Sequence, residues 1–201
     1  METSRSTTIS KTMELAGVPK AYLDAEPRPD LLDGVFLTGK PGRGKTHAAC
    51  GAIRAYVERY VIDMGDGYWL YHGPRVRFVN ALQWFSQMKA TYDRKDEREQ
   101  EVFDRYATCG LLVLDDLGKG GRSEWAAERI YMLVDHRSAN GLTTIVTSNY
   151  DLGELASMLS TDRQTMEAIA SRIGGMCRGV RVDGPDRRMQ KNLEELSYSH
   201  A

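Results

Sequence analysis

Along this chain, short apolar runs alternate with stretches in which apolar residues recur every three to four positions. Val35-Phe36-Leu37-Thr38, behind Gly34, predicts a buried strand. A glycine-rich turn follows from Gly39 to Gly44. Ala49, Ala52, Ile53, Tyr56, Val57, Tyr60 and Val61 then mark one face of an amphipathic helix. Residues 63–74 are rich in glycine and aromatics (Tyr68, Trp69, Tyr71) and predict a loop or hairpin. Val76–Val79 predicts a second strand, with Asn80 as the N-cap of a helix through Trp84, Phe85 and Met88. Residues 93–100 are almost wholly charged and predict a solvated helix or connector. Leu111–Leu114, the most apolar run, predicts a central strand. Ser123 caps the next helix, whose stripe is Ala126, Ile130, Leu133 and Val134 and which Asn140-Gly141 ends. Thr143–Val146 predicts another strand, closed by Thr147-Ser148-Asn149. Helical patterns near Leu152–Leu159 and Met166–Ile173 and a last strand at Val180–Val182 complete the series. Residues 1–30 are polar and hold Pro19, Pro27 and Pro29, a lead-in with one short helix near Thr12–Ala16. The main unit spans 31–190 and a polar tail 191–201. Strands alternating with helices predict an α/β fold, a parallel sheet covered on both faces.

Composition narrows the function classes. The 201 residues fit one domain, and with 41% hydrophobic and 27% charged residues the chain has an ordinary globular balance. Lys plus Arg is 27 and Asp plus Glu 28, a net charge of −1, so nucleic acid would have to be held by a local patch rather than by bulk charge. No apolar run is long enough to cross a bilayer and the first residues lack a signal-peptide core, so no membrane partner is expected. Cys50, Cys109 and Cys177 are widely spaced and odd in number, which fits reduced thiols and a cytoplasmic location.

The sharpest chemistry lies at Gly39-Lys40-Pro41-Gly42-Arg43-Gly44-Lys45-Thr46, which matches G-x-x-x-x-G-K-[ST] between a predicted strand and a predicted helix. Glycines let the backbone curl so that successive N–H groups face phosphate oxygens, and the helix start at Lys45-Thr46-His47 adds its partial positive charge. Lys45 is expected to reach the β- and γ-phosphates of ATP, and the Thr46 hydroxyl to bind Mg²⁺. Asp115-Asp116 ends an apolar strand, where ligands bind in open parallel sheets. Asp115 is expected beside Mg²⁺, and Asp116 as the group that orients or polarises water. Glu124 is a rival for that second role, with helix-dipole stabilisation as its other explanation.

The ordered set of this loop, Leu112–Gly118, Glu124-Trp125, Asp135-His136-Arg137, Thr147-Ser148-Asn149, Ser171-Arg172-Ile173 and Gly184-Pro185-Asp186, with Ala16-Gly17-Val18-Pro19-Lys20 ahead of it, resembles the AAA+ ATPases. It is most similar to the DnaC/DnaI helicase loaders and the IstB transposition helpers. The resemblance implies a P-loop NTPase three-layer α/β/α sandwich around a parallel sheet; as a departure from many members, the tail after Val182 is expected to be too short for a full helical lid domain. The resemblance also implies a slow ATPase that assembles with copies of itself, with nucleotide at the subunit interfaces, and loads or positions a replicative helicase. Single-stranded DNA is the implied further partner, held after the second strand near Lys89, Tyr92, Arg94, Lys95 and Arg98. By the same resemblance Asn149 is the sensor of the γ-phosphate and Arg172 the arginine finger that reaches a neighbour's nucleotide. Arg137 is a second candidate for an intersubunit contact. Three other readings stay open: an IstB-type transposition helper acting on duplex DNA, a small P-loop nucleoside or nucleotide kinase, and an adaptor that binds nucleotide with little hydrolysis.

Overall fold

The computed structural model describes residues 4–93, 98–120 and 122–186. Its elements are α1 (Arg5–Leu15), β1 (Val35–Thr38), α2 (Lys45–Arg59), β2 (Val61–Asp63), β3 (Trp69–Tyr71), β4 (Val76–Asn80), α3 (Ala81–Ala90), α4 (Glu99–Ala107), β5 (Leu111–Leu117), α5 (Glu124–Ala139), β6 (Thr143–Ser148), α6 (Leu152–Leu159), α7 (Arg163–Met176) and β7 (Arg178–Arg181). Five strands form a parallel sheet in the order β4-β5-β6-β1-β7, while β2 and β3 make a separate antiparallel hairpin.

Alternation along the strands divides the core in two. Val35, Leu37, Val76, Phe78, Leu111, Val113 and Ile145 face one side and pack with Ala49, Ile53 and Val57 of α2 and with Ile9 and Met13 of α1. Phe36, Val79, Leu112, Leu114 and Val146 face the other and pack with Trp84, Val102, Phe103, Ile130, Leu133, Leu155, Ile169 and Ile173 from α3 to α7. These are the three layers of the expected α/β/α sandwich. From β1 the chain passes over two strand positions to β4 at the edge, and β5 and β6 later fill the gap. The carboxyl ends of β1, β5 and β6 therefore meet at one crevice.

Local caps agree with the sequence. The Asn80 side chain accepts from Leu82 N–H, Ser123 from Ala126 N–H, and Asp151 forms a capping box with Glu154. Five expectations need correction. The lead-in helix runs over Arg5–Leu15 rather than Thr12–Ala16, and its buried Ile9 and Met13 make it part of the core. The apolar face after the glycine turn is shared by two elements, since α2 ends at Arg59 and Val61 opens β2. Helix α4 was hidden by its charged surface, although Val102, Phe103 and Tyr106 are buried. Strand β5 lies beside the middle strand, which is β6. It also runs through Asp115 and Asp116 to Leu117, with a register irregularity between Leu114 and Leu117. The predicted tail 191–201 and Arg94 and Lys95 lie outside the described residues.

Candidate nucleotide-binding site

The turn after β1 is built as its glycines require. Gly39, Gly42 and Gly44 have φ of 141°, 78° and 92°, in the region that side chains other than glycine rarely adopt. Gly44 is the N-cap of α2, so the free N–H groups of the first helical turn open into the turn's concavity. A Cβ on Gly42 would overlap the Asp186 carboxylate, which lies against the loop.

Lys45 is buried, and its Nζ donates to Gly39 O at 2.6 Å, Lys40 O at 3.0 Å and Asn149 Oδ1 at 2.8 Å. The ammonium is thus already aimed across the loop, and the end of β6 is tied to it. Thr46 Oγ1 donates to Asp115 Oδ1 at 3.0 Å, and Thr147 Oγ1 donates to the same oxygen at 2.7 Å. Asp115 is buried, and burial pushes its carboxyl above the ordinary value while the Thr147 and Thr46 hydroxyls oppose that shift. Asp116 N–H donates to Thr147 Oγ1 at 2.9 Å. Asp116 sits at φ 58°, a left-handed conformation that aspartate tolerates better than most residues, and its carboxylate pairs with Lys119 Nζ at 2.6 Å.

These groups border a cleft of about 330 Å³ lined by Pro41 to His47, Asp116, Lys119, Asn149, Ala21 and Tyr22. The His47 ring meets the Tyr22 ring edge-on at 6.3 Å between centroids. Lys40 and Gly39 contribute their carbonyls to Lys45 instead. The oxygen donors Thr46 and Asp115 suit a hard cation such as Mg²⁺, which usually takes few protein ligands and completes its shell with phosphate and water. Among the described residues no group of three or more His, Cys, Asp or Glu side chains could hold a metal ion unaided.

Sequence reasoning overlooked three contributors. Thr147 bridges the two aspartates, Lys119 pairs with Asp116, and Ala21-Tyr22 close the cleft from the segment expected to be a mere lead-in. Only Thr147 carried a signal, as a hydroxyl in an apolar strand. The other two depend on tertiary contact.

Other expected site residues lie elsewhere. Glu124 accepts from Ser160 Oγ at 2.7 Å and from Thr161 N–H and Oγ1 at 3.0 Å each, which holds its carboxyl below the ordinary range. It ties the start of α5 to the α6–α7 connection and does not line the cleft, so the rival role in water activation falls away. Arg137 is buried. Its guanidinium donates to Thr144 Oγ1 and to the carbonyls of Tyr106, Ala107, Cys109 and Thr143, so it is a core brace rather than an intersubunit contact. Arg172 does not line the cleft either. It pairs with Asp135 at 2.9 Å and lies 5.7 Å over the Tyr131 ring, half-exposed on the α5–α7 face. Of the basic and aromatic residues after the second strand, Lys89 lies 5.0 Å over the Trp125 ring and the Tyr92 hydroxyl donates to Glu99.

Comparison with known proteins places this geometry. The replicative helicase loader DnaC of Escherichia coli (strain K12) is 25% identical over 124 residues, which covers 62% of this chain and 45% of that protein. The chain therefore spans about half the length of the curated relatives it matches. A crystal structure of the DnaC helicase loader superposes with a TM-score of 0.59 at 25% identity, covering 87% of this chain and 90% of that one. The crystal structure of DnaI gives 0.60 at 24% identity over 89% and 81%. The model of the family described as IstB-like ATP binding protein matches residues 30–195. With its glycine loop, buried lysine and paired aspartates in one crevice, the chain belongs to this IstB-like ATP-binding family, within the AAA+ group that holds the DnaC and DnaI loaders.

Proposed function

We propose that this protein is an ATP-hydrolysing switch that assembles with copies of itself and loads or positions a replicative helicase on single-stranded DNA. The observation that carries the reading is the cross-linked cleft, in which Lys45 bonds Asn149 and Thr46 bonds Asp115. A phosphate ligand entering there meets the loop N–H groups, the Lys45 ammonium and the sensor amide together. Thr46 and Asp115 would hold Mg²⁺, which would supply charge neutralisation to the γ-phosphate during in-line attack by water. The chain's own residues do the rest. Lys45 exchanges its carbonyl partners for phosphate oxygens, and Asn149, released from Lys45, is free to hold water. Asp116 accepts the proton that water loses. Arg172 lies outside the cleft of its own chain, which supports a role in a neighbour's.

The helicase is the partner named in the description of the DnaC relatives, and the match covers less than half of their length, so the test must include it. ATP·Mg²⁺ binding is measured by calorimetry on the wild type and Lys45→Ala. Turnover is then measured with the host replicative helicase and single-stranded DNA. We expect Lys45→Ala to lose at least about a hundredfold in affinity, roughly 3 kcal/mol, and the wild type to deposit helicase on DNA only with ATP. Helicase deposition equal with and without nucleotide defeats the loader reading. The family match favours a second reading, a helper of transposition. Preference for duplex over single strands together with stimulation by a transposase would select it. Family membership sets the kinase reading aside.

A further inference from the structure

Lys119 reaches the nucleotide cleft from the turn that follows β5. Arg43, Lys45 and Lys119 are the arginine and lysine residues that line this cleft. The first two belong to the phosphate loop and the start of its helix, whereas Lys119 stands just beyond the strand that carries the acidic pair. Its Nζ lies 2.6 Å from Asp116 Oδ2, so the ammonium rests on the carboxylate assigned to the attacking water. While that bond stands, one oxygen of Asp116 is already taken by a cation. The pair has to open before Asp116 can meet water freely.

The turn holds the backbone on both sides of this pair and leaves the side chains looser. Gly118 and Gly120, which flank Lys119, have φ of 98° and 103°, values that other residues rarely adopt. The turn runs close against α6 and α3: a Cβ on Gly118 would come within 2.8 Å of Leu155 Cδ1, and one on Gly120 within 2.5 Å of Leu82 Cδ2. Asp116 is tied through its N–H to Thr147 Oγ1 at 2.9 Å. The Lys119 side chain, by contrast, is 48% exposed and that of Asp116 23%. An ion pair so open to solvent contributes little and exchanges readily. The terminal phosphate of a nucleoside triphosphate carries more negative charge than one carboxylate and binds an ammonium strongly, so it outcompetes Asp116 for Lys119.

We propose that Lys119 is a γ-phosphate ligand and the residue by which this cleft tells a nucleoside triphosphate from a diphosphate. Without a triphosphate its ammonium stays on Asp116. With one, the ammonium passes to the terminal phosphate and Asp116 is left open to water. The loop N–H groups hold the inner phosphates, so a cation stationed at Asp116 meets the phosphate that water attacks, which is the terminal one. Lys119 acts within its own chain and is distinct from the arginine expected from a neighbour. The assignment rests on the nucleotide reading of this cleft and deepens it.

The test is calorimetry on the full chain with Mg²⁺, comparing ADP with the β,γ-methylene analogue of ATP, which is not hydrolysed. The proteins are the wild type, Lys119→Met, Lys119→Arg, Asp116→Asn and the double variant Lys119→Met with Asp116→Asn. Lys119→Met is expected to lose about three- to fivefold in affinity for the analogue and to keep ADP within about twofold, and Lys119→Arg to recover about half of the loss. The exchange itself is read from the cycle of variants. Asp116→Asn frees the ammonium in advance, so its gain in analogue affinity should be at least about threefold larger with Lys119 present than in the Lys119→Met background. A residue that only shaped the turn would change both nucleotides alike. Unchanged urea midpoints show that the fold persists in each variant. The proposal is overturned if Lys119→Met weakens ADP as much as the analogue or weakens neither, or if the two substitutions are additive. Wild type that binds neither nucleotide defeats the nucleotide reading and this proposal with it, whereas wild type that binds both with an additive cycle defeats this proposal alone.

Discussion

Two hydroxyls converge on a single oxygen of Asp115, and burial still leaves that carboxyl harder to ionise than in water. A carboxyl raised by folding favours its protonated form in the native state. The cost of ionisation is absent below the ordinary value of 3.8 and present in full above the folded value. Asp115→Asn should therefore stabilise the ligand-free protein at neutral pH by on the order of 1 kcal/mol, about 2–4 °C in Tm, and the gain should shrink in acid. Thermal melts from pH 3.5 to 7.5 check the sign, and the same variant should lose Mg²⁺-dependent turnover. Lys119 is a half-exposed cation whose pairing with Asp116 is screened by solvent. Lys119→Ala should cost up to about fivefold in ATP affinity and change stability by less than about 0.5 kcal/mol, measured by calorimetry and urea unfolding.

Elements are joined by groups of a different kind. Arg137 projects from the last turn of α5 into the space between the end of α4 and the start of β6, where it bonds four carbonyls and a hydroxyl. Its burial lowers the guanidinium's affinity for its proton, and no carboxylate is among the partners it bonds. Arg137→Ala takes a donor from each of those buried carbonyls, so a loss of about 3–5 kcal/mol is expected in urea unfolding, with ATP affinity of the remaining folded protein unchanged. An intersubunit role would give the opposite pattern, intact stability with lost assembly. Helix α4 depends on this brace for its carboxyl end, and its buried Val102 and Phe103 pack in the same core as Trp84 of α3.

At the scale of the whole molecule, the crevice is lined by the phosphate loop, Asp116, Lys119 and Asn149, and Arg172 is not among its lining residues. Arg172 stands on the α5–α7 face, where its pair with Asp135 is open to solvent and worth little. Under the proposed assembly, Arg172→Ala should bind ATP within about twofold of the wild type, keep its Tm, and lose at least about a hundredfold in turnover. Mixing it with Lys45→Ala, which retains the arginine but lacks the phosphate ligand, should restore part of that turnover. A mixture no more active than either variant alone would place the arginine's role elsewhere. No helix among the described residues is long and apolar enough to cross a membrane.

The parallel sheet, the phosphate loop and the acidic pair were legible in the amino-acid order because each depends on local chemistry. Four apolar residues in a row need burial, glycines need positive φ, and a capping side chain reaches only three residues ahead. The proposed roles of Asn149 and Arg172 rest on family resemblance alone, since a polar strand end and an exposed arginine carry no signal of their own. Tertiary structure decided the rest. It placed Thr147 between two aspartates, moved Glu124 to the α6–α7 connection, sank Arg137 into the core and folded α1 beneath the hairpin. Those outcomes join residues tens of positions apart, and the energy of such contacts depends on which surfaces the sheet order brings together, a quantity no local window of sequence contains.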